Sequence, residues 1–84
     1  MTENFGAYLK NERELRGVPL QEIADNTNIP IRFLQALEEN NLNELPEEVF
    51  IKGYIRSYTR SIGTNADEVL TAFNLFAVQE REKK

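Results

Sequence analysis

The chain contains no cysteine and no histidine. Without cysteine, no disulfide can staple its small core. Without either residue, the usual zinc sites and most nucleophilic triads are excluded. Carboxylate chemistry remains, but Glu12, Glu14, Glu22, Glu38, Glu39, Glu47 and Glu48 all fall in ordinary solvated helical contexts. The expectation is a binding domain, not an enzyme, with no cofactor and no metal. Long apolar runs are missing too. No stretch approaches the roughly 20 residues that span a bilayer, and the start MTENFGAYLK lacks the basic and apolar regions of a signal peptide. With cysteine absent as well, the sequence reads as a soluble, cytoplasmic piece. There is also a deficit of cations: 10 Lys and Arg against 14 Asp and Glu, for a net charge of −4. Nucleic-acid binders need a basic face for phosphates, so the balance lowers the expectation of DNA binding.

What is present is helical periodicity in a chain of 84 residues, enough for one domain. A first helix is expected from about Glu3 to Arg16, with Phe5, Tyr8, Leu9 and Leu15 on its apolar face and Gly17 ending it. A second runs from about Leu20 to Asn26, with Leu20, Ile23 and Ala24 inward and Pro19 in its first turn. Asn28 breaks the chain tightly. A third helix spans about Pro30 to Glu39, with Phe33 or Leu34, together with Leu37, facing inward. Asn40, Asn41 and Asn43 mark a loop. Pro46 opens a fourth helix, with Glu47 and Glu48 in its first turn and Gly63 at its end. Asn65 and Glu68 resemble a capping box for a fifth, whose buried face takes Val69, Leu70 and Phe73, extended by Phe76 and Ala77. The expected architecture is all-α: a five-helix bundle over residues 1–78, with a charged tail at 79–84.

Leu20 to Glu39 fits a helix-turn-helix of the lambda-repressor type. Ala24 is small where two helices cross, Asn28 holds the turn, and Ile29, Leu34 and Leu37 lock the second helix onto the first. Such motifs read DNA from the outward N-terminal part of the second helix. Here that part offers Pro30, Ile31, Arg32, Gln35 and Ala36. Only Arg32 and Gln35 can hydrogen-bond a base edge, and Glu38 and Glu39 bring negative charge to the end of the same helix. A phage-repressor-type regulator would use Arg32 and Gln35 on bases, with Lys10, Arg13 or Arg16 on phosphates. The scaffold suits DNA and the reading surface does not.

The fourth helix carries more. At about 100° per residue, Ile51, Ile55, Tyr58 and Ile62 form a core stripe. Lys52, Arg56 and Arg60 form a basic stripe roughly opposite. Phe50, Tyr54, Ser57 and Ser61 form a third. Spacing alone leaves open whether Phe50 and Tyr54 widen the core or stand out. Small serine neighbours favour prominent rings, and aromatics beside Arg and Lys are typical of protein-binding hot spots. Gly53 sits mid-helix, where it is unfavourable.

The run from Phe5 to Gly63, and above all ALEENNLNELP (Ala36 to Pro46) and FIKGYIRSY (Phe50 to Tyr58), resembles the N-terminal cytoplasmic domain of RodZ-type bacterial cell-shape proteins. These belong to the phage-repressor-like superfamily. The resemblance covers about Phe5 to Phe73. It implies a cytoplasmic domain of a membrane protein with a single transmembrane helix, which binds the actin-like filament protein MreB and helps maintain rod shape. It also implies that the contact aromatics are Phe50 and Tyr54, with Lys52, Arg56 and Arg60 as basic partners. Pro19 departs from the serine often found at that position. No transmembrane segment accompanies the domain.

Overall fold

The computed structural model describes residues 5–82, with side chains as far as Val78. Five α-helices follow one another: α1 (Phe5–Leu15), α2 (Leu20–Thr27), α3 (Ile31–Glu38), α4 (Glu48–Ile62) and α5 (Ala66–Glu82). A short 3-10 turn, Leu42–Glu44, occupies the loop between α3 and α4. The expected start of α1 at Glu3 lies outside the described residues. Helix α5 continues through Glu82, into the segment read from sequence as a charged tail; Lys83 and Lys84 lie outside the described residues.

Helix boundaries follow local chemistry. Gly17, Asn28 and Gly63 all have positive φ, at 65°, 61° and 77°, and each follows a helix end. That left-handed geometry exposes the last carbonyls for capping and suits Gly and Asn. Asn40 adopts it as well, at 57°. Pro19 and Pro30 sit one residue earlier than expected. They are the N-caps of α2 and α3, with extended ψ of 145° and 136°. Asn65 caps α5, its Oδ1 accepting the Asp67 backbone N–H at 2.7 Å. In place of the expected capping box, the Glu68 carboxylate accepts the Tyr8 hydroxyl at 3.0 Å and ties α5 to α1.

The core draws on all five helices. Phe5 and Leu9 of α1, Ile23 of α2, Leu34 and Leu37 of α3, Ile51, Ile55 and Tyr58 of α4, and Val69 and Phe73 of α5 share one buried cluster. The Phe5 ring packs edge-on against Phe73 and Phe76, both with centroids at 5.3 Å, and so closes α1 on α5. The expected locks of the helix-turn-helix, Ala24, Ile29, Leu34 and Leu37, are all buried. Leu34 and Leu37 form the inner face of α3, with Phe33 only partly covered. Leu15 is a correction. Expected on the inner face of α1, it is 72% exposed at the last residue of the helix.

Candidate protein-docking face on the fourth helix

Helix α4 presents its stripes as their spacing dictates. Ile51, Ile55, Tyr58 and Ile62 are buried. Thr59 is buried beside them, its hydroxyl donating back to the carbonyls of Ile55 (2.9 Å) and Arg56 (3.0 Å). The opposite side faces solvent. Arg56 and Arg60 are exposed, and among the described residues neither has an ion-pair partner. Lys52 differs, since its ammonium lies 4.0 Å from the Glu48 carboxylate one turn back. At the surface such a pair contributes little.

The two aromatics are not equivalent. Phe50 is 55% exposed. Tyr54 is half-buried, its ring stacked on Phe33 of α3 with centroids 5.9 Å apart and planes 28° from parallel. Tyr54 therefore both buttresses the core and shows an outer edge. Val49, which the sequence reading passed over, is 70% exposed next to Phe50. It lies seven residues before Arg56, on the same side of the helix, so a helical projection would have found it. Between Val49 and Arg56 sits Gly53, with nothing of the protein near its face.

Beyond Arg60, the ends of α2 and α4 enclose a shallow cleft of about 290 Å³ lined by Asn26, Thr27, Ser57, Arg60 and Ser61. Its lining is polar, unlike the apolar pockets that hold small organic ligands. Among the described residues no group of three or more acidic side chains converges to hold a metal ion.

The outward face of α3 is altered from expectation. Arg32 and Gln35 are exposed, but Ala36 is 3% exposed and Ile31 is packed against the core. The Arg32 guanidinium lies 5.1 Å from the centroid of the Phe33 ring. Arg32 and Gln35 line a cleft of about 300 Å³ together with Glu39 and Glu44, so carboxylates stand where phosphates or base edges would approach. Two of the three expected phosphate contacts are engaged elsewhere. Arg13 holds Glu38 through Nε (2.7 Å) and Nη2 (3.1 Å), and its Nη1 donates to the Val18 carbonyl at 2.9 Å. Arg16 holds Glu12 at 3.1 Å. Glu38 is itself a correction. It was expected to be solvated, yet its side chain is only 6% exposed and also accepts the Tyr58 hydroxyl. Burial, and then that bond to Glu38, push the Tyr58 phenol well above its ordinary pKa. Tyr8 is raised too, mainly by its hydrogen bond to Glu68.

Residues 8–69 match a family described as a helix-turn-helix domain. A solved structure of bacterial actin MreB, assembled in complex with the cell shape protein RodZ, contains a chain that superposes on this one with a TM-score of 0.81. The two chains are 31% identical, over 89% of this chain and 92% of the other. The chain belongs to the RodZ-type helix-turn-helix family. The helix-turn-helix family match over residues 8–69 takes in both the α3 face and the whole of α4. Among the described residues of this RodZ-type domain, no helix is long and apolar enough to cross a membrane.

Proposed function

We propose that this chain is a non-enzymatic adaptor domain that docks on an MreB-type actin-like filament through α4. It acts at the cytoplasmic side, as part of a cell-shape protein. The observation that carries this reading is Phe50, an aromatic ring left 55% exposed on the helix that also bears Arg56 and Arg60, both exposed and without an ion-pair partner among the described residues. Such a ring does little for folding, and it is the type of residue that anchors protein interfaces. Membership of the RodZ-type family, and a related chain solved in complex with MreB, support the same partner. In this reading Phe50 and the outer edge of Tyr54 supply apolar anchorage, and Lys52, Arg56 and Arg60 orient the partner electrostatically.

Co-sedimentation with purified MreB filaments tests it. Phe50→Ala should weaken binding on the order of tenfold or more, the usual cost of losing an aromatic anchor, with the thermal midpoint unchanged. Wild-type affinity in that variant would reject the α4 face. The alternative, a phage-repressor-type regulator acting through Arg32 and Gln35, is less supported. Carboxylates border that face, and Arg13 is committed to Glu38. A gel-shift assay at low and high salt should reveal no sequence-specific complex.

A further inference from the structure

Gly53 is a residue of α4 that the fold does not require. A Cβ at this position would meet nothing within 4 Å. Its φ is not among the positive values of the chain, so its backbone is open to any residue. Glycine is nonetheless among the poorest helix formers. The contrast with Gly6 is sharp: a Cβ there would lie 2.6 Å from the Glu38 carbonyl oxygen and 2.8 Å from Asn40 Oδ1. Gly6 is required by the fold, and Gly53 is not.

The surroundings of Gly53 suggest what does require it. Its neighbours one turn away on the helix surface are Val49 and Phe50 on one side and Arg56 and Ser57 on the other. Val49 is 70% and Phe50 55% exposed. Arg56, and Arg60 a further turn along, carry charge without an ion-pair partner among the described residues. The absent side chain leaves a small dimple of open backbone, with apolar residues toward the helix N-terminus and cationic ones toward the C-terminus.

We propose, resting on the filament reading above, that this dimple is the seat of the contact. An apolar side chain protruding from the partner sits directly on the Gly53 backbone, between Phe50 and Arg56. Carboxylates flanking that side chain pair with Arg56 and Arg60. The charge argument favours such a partner, because two uncompensated cations stand out on a chain of net charge −4. Acidic groups on the partner would neutralise them. The face thus fits an apolar knob with an acidic border.

The experiment compares wild type, Phe50→Ala, Gly53→Ala and Gly53→Leu in thermal unfolding and in co-sedimentation with MreB filaments. Gly53→Ala should raise the thermal midpoint by about 4–8 °C, as expected for removing a helix-interior glycine from a domain of this size. Gly53→Leu should unfold no earlier than wild type. Filament affinity should move the other way, falling about tenfold for Gly53→Ala and further for Gly53→Leu, with wild-type binding weakening as salt rises. If wild type and Phe50→Ala differ while Gly53→Leu binds like wild type, this inference is overturned and the filament reading stands. If Gly53→Ala destabilises the domain, the fold needs the glycine and the inference also fails. If wild type itself does not sediment with filaments, both are overturned.

Discussion

The phenol of Tyr58 on α4 donates a hydrogen bond to the carboxylate of Glu38, the last residue of α3. Arg13 of α1 closes the group with two bonds to the same carboxylate. Three helices therefore meet at one nearly buried ion pair, with side chains 13% and 6% exposed for Arg13 and Glu38. A carboxylate in such a place is tolerated because its oxygens are fully engaged.

Removing one partner should therefore be costly. Glu38→Ala leaves the Arg13 charge nearly buried with only the Val18 carbonyl as acceptor, and the Tyr58 hydroxyl with only the Leu9 carbonyl, and should lower stability by about 3–5 kcal/mol. Tyr58→Phe removes one hydrogen bond to a charged group and should cost less, about 1.5–3 kcal/mol. Chemical denaturation followed by circular dichroism measures both. The expectation fails if Glu38→Ala is as stable as wild type.

The same group sets an alkaline limit. The folded-state pKa of Tyr58 is raised above the ordinary value of 10.0, so the folded state holds its proton more tightly than the unfolded chain. That stabilisation is complete below about pH 10 and is lost as pH rises beyond it. Tyr8 shifts in the same direction through Glu68. Unfolding monitored against pH should show stability falling above about pH 10, with a shallower fall in Tyr58→Phe. An equally steep fall in that variant would assign the limit to other groups.

Gly6 answers to packing. Its N–H donates to Asn40 Oδ1 at 2.9 Å, and the end of α3 passes directly over its Cα. Gly6→Ala must push backbone carbonyls apart, which should cost about 1–3 kcal/mol. A melting curve of this variant should shift opposite to that of Gly53→Ala.

The two aromatics of α4 should separate in stability. Phe50→Ala should stay within about 0.5 kcal/mol of wild type, as surface substitutions generally do. Tyr54→Ala loses the stack on Phe33 and should be destabilised by about 1–2 kcal/mol, from aromatic pairing and lost burial. Equal melting points for the two variants would show that the Tyr54–Phe33 stack is not a structural support.

Much of this protein was legible from residue order alone. The five helices, the left-handed stops at Gly17, Asn28 and Gly63, and the inner stripe of α4 follow from periodicity and backbone sterics. Those properties act within a few residues and need no knowledge of the rest of the chain. The helix-turn-helix locks were legible for the same reason, because the motif spans one short segment. Tertiary structure decided what each surface residue faces. Periodicity put Leu15 on an apolar face, but the folded chain leaves it exposed. Glu38 read as a solvated acid until α1 and α4 brought Arg13 and Tyr58 to it. Phe50 and Tyr54 lay on one stripe, and only the position of Phe33 on α3 separated them. Gly6 and Gly53 are the same residue type in helices, and only the neighbouring backbone distinguishes a glycine the fold requires from one it does not. Helical spacing assigns a direction to each side chain, but the energy of that direction depends on the element opposite. Which element that is, the packing of the whole bundle determines.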